Sequence, residues 1–200
     1  MLSLLFLSTP MTSQATQEPD YQVLQTNEAM EVRAYAGYSV AEVLVPGPAQ
    51  SAGSAAFPIL AGYIFGKNKG ERKLAMTAPV TQSAMPVKLE MTAPVMQSQV
   101  ATGFWVQFVL PRGVTSANAP EPLDPRVQLR DIAPQRIAVI RYSGFWSEAN
   151  DDTHLSLLQA AMKNADLKPS GEPVYARYNP PFTPWFLRRN EIWLHLASAP

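Results

Sequence analysis

Few side chains in this 200-residue chain could do covalent or metal chemistry, and their spacing narrows the choice further. There are no cysteines, so disulfides, thiolate metal sites and cysteine nucleophiles are all excluded. The two histidines, His154 and His195, stand in no H-E-x-x-H pattern. His154 reads as a capping or partly buried residue near a helix start, and His195 as a structural residue alternating with Leu194 and Leu196. Asp151 and Asp152 are adjacent, and neighbours on a helix diverge by about 100°, so they do not converge on one substrate. Gly66-Lys67-Asn68-Lys69-Gly70 resembles a phosphate loop in letters only, with the wrong spacing and no Ser or Thr after the lysine. No G-x-S-x-G, Walker or G-x-G-x-x-G sequence is present. What remains is non-covalent binding, for which the aromatic group Phe182, Trp185 and Phe186 around Pro184 is a candidate surface.

Composition agrees with a globular binding protein. The chain is 46% hydrophobic and 16% charged, enough apolar content for a real core and too much for a disordered chain. Sixteen basic residues balance sixteen acidic ones, which argues against a nucleic-acid partner. Residues 2–7 form a short apolar run, and Ser13-Gln14-Ala15 looks like a cleavage site. That leader, residues 1–17, is read as an export signal, giving a periplasmic or secreted protein, with a disordered tail on a cytoplasmic protein as the alternative. The run is too short to span a bilayer, so no stable membrane insertion is expected.

The elements that must position any site follow from periodicity. Residues 21–24, 31–35 and 38–45 read as strands, the last closed by Pro46-Gly47-Pro48. Residues 49–64 read as a helix with Ala52, Ala56, Leu60 and Ile64 at four-residue spacing. Pro58 should kink or divide it, and Gly66 should follow as its stop. An eight-residue phrase then appears twice: Lys73-Leu74-Ala75-Met76-Thr77-Ala78-Pro79-Val80 and Lys88-Leu89-Glu90-Met91-Thr92-Ala93-Pro94-Val95, matching at seven of eight positions. Its alternation predicts two short strands joined by a loop over 81–87, with Met76 and Met91 on the apolar side. Further strands are expected over 104–110, 127–130, 136–142, 175–178 and 191–196, and a second helix over 147–165. A shift of ninety-seven residues superposes Val32-Arg33 on Leu129-Arg130 and Val40-Ala41 on Ile137-Ala138, so each half reads strand, strand, helix, strand, strand. The fold class is therefore α+β: two duplicated units whose strands form one distorted antiparallel β-barrel with two helices.

With these motifs in place the chain resembles the SOUL family of haem-binding proteins. The resemblance covers residues 18–196. It rests on Glu31-Val32-Arg33-Ala34-Tyr35, on Tyr63-Ile64-Phe65-Gly66-Lys67-Asn68, on both Met-Thr-Ala-Pro-Val copies and on Phe108-Val109-Leu110-Pro111. It continues in Tyr142-Ser143-Gly144-Phe145, Tyr178-Asn179-Pro180-Pro181 and Arg188-Arg189-Asn190-Glu191-Ile192-Trp193. It implies one domain over 18–200, a fold similar to bacterial effector-binding domains, and reversible binding of haem or another tetrapyrrole without enzymatic activity. It places the slot between the first helix, with Phe57, Leu60, Tyr63 and Ile64, and the loop carrying Phe182, Trp185 and Phe186. Lys67, Lys69, Arg72 and Arg188 would meet the propionates. On spacing alone the helical set reads first as core, and the lysines first as solvated charges. Some family members carry a histidine where this chain has Ala34, so iron ligation is expected to be weak or absent. The expected protein is a monomeric carrier, buffer or scavenger of a small-molecule tetrapyrrole. The rival reading is a general binding module for amphipathic aromatic molecules, and a third is a hydrolase or haem-processing enzyme.

Overall fold

A computed structural model describes residues 17–27, 29–86, 102–180 and 182–197. The N-terminal apolar run and the second copy of the repeated phrase lie outside them. Nine strands and two helices follow in the order β1 (Tyr21–Thr26), β2 (Glu31–Tyr35), β3 (Tyr38–Pro46), α1 (Ala49–Ile64), β4 (Val80–Pro86), β5 (Thr102–Val109), β6 (Gln128–Ile132), β7 (Gln135–Tyr142), α2 (Glu148–Asn164), β8 (Pro169–Arg177) and β9 (Asn190–Leu196). All strands join one curled antiparallel sheet in the order β1-β2-β7-β9-β8-β4-β5-β3-β6.

The duplication is visible in the pairing. A shift of ninety-seven residues carries β2 onto β6 and β3 onto β7. Yet β2 pairs with β7, and β6 pairs with β3, so the two halves exchange their first strands. The registers match as well: Val32 faces Ala138, and its counterpart Leu129 faces Ala41. Exchange interlocks the halves, because neither sheet half is complete without a strand of the other.

Helix α1 runs unbroken through Pro58. Proline cannot bond the carbonyl four residues back. Both Pro58 and Ser54 are exposed, and the helix is not divided there. Helix α2 is capped by Ser147, whose hydroxyl accepts from the Asn150 amide, and Glu148 and Asp151 occupy its first turn, where the helix dipole favours negative charge. Helix α1 packs on β3 and β5 through Ala52, Ala56, Leu60 and Ile64 against Ala41, Val43, Val106 and Phe108. Helix α2 packs on β7 and β9 through Leu158 and Met162 against Ala138, Ile140, Ile192 and Leu194.

The first copy of the repeated phrase departs from expectation. Residues 73–79 lie outside the strands, and only Val80 begins one. Leu74 and Met76 still pack against the α1 core, as their alternation requires. Their backbone does other work: the Leu74 amide donates to the Ile64 carbonyl and the Ala78 amide to Gln17. Conversely, the polar run Thr81-Gln82-Ser83-Ala84, expected as loop, is strand, because β5 and β8 flank it on both sides. Central placement in a sheet overrides local propensity.

The opposite, concave side of the sheet is packed with buried side chains. Tyr35, Ile137, Val139, Ala176 and Trp193 form its apolar part. Beside them the buried Glu191 carboxylate accepts from Arg33, Arg189, Tyr178 and the Trp193 indole at 2.8–3.2 Å. A ligand site is therefore sought on the helix-bearing side.

Candidate functional site

Register defines the site. One cross-strand row on the helix side runs Ala41, Phe108, Val80, Arg177, Asn190, Tyr142, on β3, β5, β4, β8, β9 and β7. Helix α1 covers the first two of these strands and α2 the last two. The β4–β8 seam between them is left as a trough, floored by half-buried Val80 and Arg177. From β5 to β9 is three strand spacings, about 14 Å. One end of the trough is closed where the helix starts meet: Gln50 Nε2 donates to Glu148 Oε2 at 3.3 Å, and Gln82 Nε2 to the Ala49 carbonyl at 3.0 Å.

On the α1 wall stands Phe57, 48% exposed, with its ring edge-on to Phe108 at 5.6 Å. The sixteen residues of α1 include no charge, although Gln50, Ser51, Ser54, Ala55 and Pro58 are also exposed. A solvated helix face normally carries charge, so this one is unusually suited to an apolar cover.

The other wall is aromatic. The Trp146 indole donates to Asn190 Oδ1 at 2.8 Å, and the Arg188 guanidinium lies 4.7 Å over its ring. Phe145 stacks on Trp185 at 5.5 Å, and Phe186 meets Trp185 edge-on at 5.6 Å. Two loops are locked together to make this wall. The Gly144 amide donates to the Trp185 carbonyl, and Asn190 Nδ2 donates to the Gly144 carbonyl. Gly144 has φ of +119°, and a Cβ there would come within 2.7 Å of Asn150 Nδ2. That amide is in use, donating to the Ser143 and Phe145 carbonyls, so only glycine fits.

The floor carries a closed polar group. Arg177 donates to Asp151 at 2.6 Å and to the Tyr142 hydroxyl at 3.0 Å, and that hydroxyl donates to Asp151 at 2.6 Å. Burial pushes the Tyr142 phenol up, against the opposing pull of Arg177, so it stays protonated. Asp151 is thus tied to this group, and makes no pair with Asp152.

The residues expected from sequence divide into three sets. Phe57 stands on the α1 side against Phe108, and Trp185, Phe186 and Arg188 belong to the aromatic loop wall. Phe182, 85% exposed, stands out at the tip of the same loop. Leu60, Tyr63 and Ile64 are fully buried beneath α1, with the Tyr63 hydroxyl donating to the Pro120 carbonyl at 2.9 Å, so they can back a site but not line it. Lys67 and Lys69 sit past the far end of α1, tied to the approach to β6. The Lys69 amide donates to Glu121, the Leu123 amide to Lys67, and the Lys69 ammonium pairs with Glu121 at 2.7 Å. Lys67 borders an open cleft of about 550 Å³ with Leu123, Asp124, Pro125 and Arg126. Because β6 is the sheet edge beyond β3, both lysines stand on the flank of α1 away from the trough.

Arg72 is exposed in the same loop, which Asn68 clamps. The buried Asn68 side chain donates to the Tyr63 and Arg72 carbonyls and accepts from the Arg72 amide at 2.7–2.9 Å. Asn68→Ala strips all three bonds and should destabilise the protein by about 1–3 kcal/mol. A lower denaturant midpoint at unchanged slope would show it.

Phe145, Trp146 and Arg177 are trough residues that sequence reading missed. The available signal was two aromatics straight after a strand-ending Ser-Gly. Neither histidine offers an obvious ligand. His154 stacks on Tyr142 at 4.2 Å with Nδ1 on the Asn150 carbonyl, and His195 shares the concave face with Trp193. Burial lowers the pKa of His195. Among the described residues, no three His, Cys, Asp or Glu side chains gather as a metal site, and no helix is long and apolar enough to cross a membrane.

Comparison with known proteins places this geometry. Residues 16–195 match the SOUL heme-binding protein family. Heme-binding protein 2 of Homo sapiens is 31% identical over 146 residues, which is 72% of this chain and 66% of that protein. Heme-binding protein 1 of Mus musculus is 27% identical over 180 residues, covering 87% of this chain and 90% of the relative. Among solved structures, an uncharacterized conserved protein from Listeria innocua superposes with a TM-score of 0.63 at 10% identity, over 84% of this chain and 92% of that one. A protein titled a hydrolase from Listeria innocua gives 0.58 at 12% identity, over 87% and 94%. At these identities the two bacterial structures speak to fold alone. The family match spans nearly every described residue, and the chain belongs to the SOUL heme-binding protein family.

Proposed function

We propose that the protein binds haem or a related tetrapyrrole reversibly in the β4–β8 trough, as a monomeric carrier or buffer and not as an enzyme. The observation that carries this reading is a charge-free, exposed α1 face bearing Phe57 on one side of the sheet seam and a stacked aromatic wall on the loops at the other. A flat apolar ring needs two such walls, and its carboxylates need a cation at the rim. Arg188, held over Trp146, is the rim cation on that wall, while the Arg177 charge at the floor is answered by Asp151. The polar groups nearest the floor, Tyr142 and Asp151, are already engaged with Arg177. Retention is therefore assigned to stacking and charge, non-covalently, with iron ligation weak or absent.

Haem titration of the purified protein tests this. The Soret band should shift and saturate near one equivalent. Trp185→Ala, at a position 49% exposed and so of little consequence for folding, should weaken binding roughly tenfold. Equal, featureless affinity for porphyrins and unrelated hydrophobic dyes would instead make the protein a general binding module. Product released from haem or from esters would make it an enzyme.

A further inference from the structure

The tip of the aromatic wall has a property that a small ligand between two walls does not use. Phe182, Leu187, Phe186 and Phe145 are 85, 64, 58 and 59% exposed, so most of this apolar surface is open to solvent. They sit on two locked loops at one end of the sheet. The stretch from Asn179 to Asn190 and the stretch from Ser143 to Ser147 contain no acidic residue. Arg188 rises from the base of the same loop, its guanidinium held by the Thr183 carbonyl and the Trp146 ring. Phenylalanine, tryptophan and leucine at a loop tip, with a cation behind them and no acidic residue within either loop stretch, match the chemistry of the headgroup–acyl boundary of a bilayer.

We propose that this loop pair docks the protein peripherally on a lipid bilayer, with Phe182 and Leu187 entering the boundary region and Arg188 facing the phosphates. The occupant is lipid: the tip exposes Phe182, Phe186 and Leu187 beside the Arg188 cation, and neither loop stretch itself carries an acidic residue, which suits an apolar layer under a phosphate surface. This proposal does not depend on the haem reading.

Sedimentation with phosphatidylcholine vesicles, with and without phosphatidylglycerol, tests it on the full chain. Wild-type protein should co-sediment, more with phosphatidylglycerol present, and bromine-labelled acyl chains should quench its tryptophan fluorescence. Phe182→Asp and Leu187→Asp should each lower vesicle partitioning roughly tenfold. Leu123→Asp, at an apolar position 60% exposed beside the far cleft, should not. All positions are solvent-exposed, and unchanged thermal midpoints would show that folding is intact. Failure to sediment with either lipid overturns the proposal, as does equal loss in Leu123→Asp. Concentration-dependent dimerisation removed by Leu187→Asp also overturns it, by assigning the tip to a second copy of the chain. The Soret titration is read separately, so loss of haem binding and loss of vesicle binding are distinguishable.

Discussion

Glu191→Ala should lower the midpoint of thermal unfolding by roughly 6–20 °C, a large stability effect for a single substitution. Glu191 is 0% exposed, on the concave face of β9. Both its oxygens are saturated: Oε2 accepts from Arg33 Nη1, Tyr178 and Trp193, and Oε1 from Arg33 Nη2 and Arg189. Removing the carboxylate leaves the Arg33 guanidinium buried without its main counter-ion and faces it with the charge of Arg189. Cutting one partner from a buried pair costs about 3–5 kcal/mol, because the remaining charge keeps its desolvation cost. Arg33 retains as counter-ion the partly exposed Glu31, with the neutral Tyr35 hydroxyl and the Tyr21 ring beside it. For a chain of this size each kcal/mol moves the midpoint by about 2–4 °C.

The same network sets an acid limit. Burial opposes ionisation of Glu191, yet Arg33 and then Arg189 outweigh it and hold the carboxyl below its ordinary value of 4.5. A carboxylate with a depressed folded-state pKa contributes stability above its unfolded pKa and loses it as pH falls through the folded one. Wild-type protein should therefore lose stability as pH drops below about 4.5, and the Glu191→Ala variant should lack that part of the slope. Parallel acid-unfolding curves for the two proteins would show that the ion pair does not hold the interior.

How much of this was legible in sequence differs from element to element. The strand-strand-helix-strand-strand duplication was, because period-two and 3.6-residue patterns report which faces are buried. The ninety-seven-residue shift even matches the registers of Val32 and Leu129. The exchange of β2 and β6 was not, since either pairing buries the same faces and differs only in long-range hydrogen bonds. Lys73-Leu74-Ala75-Met76 carries a strand pattern and buries the right side chains, but sequence shows faces and not backbone partners, and its amides serve Ile64 and the N-terminal segment. Glu191 and Arg33 enter the sequence reading only as letters of two motifs, because nothing local says that Trp193, Tyr178 and Arg189 converge on them. For the site, helical spacing grouped Phe57 with Leu60 and Ile64, and the structure separates them by orientation. The family resemblance drew Lys67 and Lys69 toward a ligand, while Glu121 and the approach to β6 hold them on the other flank.

That separation leads to the largest expected change in binding. Phe57→Asp should weaken haem binding roughly 100-fold or more, while Lys67→Glu leaves it within about twofold. Aspartate at position 57 puts a carboxylate where the bound ring would exclude water. It must then be desolvated without a partner, since α1 has no charged residue to answer it, and it repels the propionates. The fold should tolerate it, because Phe57 is half-exposed and its ring touches the edge of Phe108 without filling the core. Lys67→Glu reverses a charge beside Asp124 and Arg126, in a cleft on the far flank, where solvent and salt screen it from the trough. Soret titrations of both variants check the contrast, with unchanged circular dichroism as the control for folding. If Lys67→Glu were the damaging one, the ligand would lie at the C-terminal end of α1 and the trough would be empty of function. If neither mattered, α1 would be only a cover for the sheet, and the aromatic wall of Trp146 and Trp185 would have to hold a ligand from one side alone.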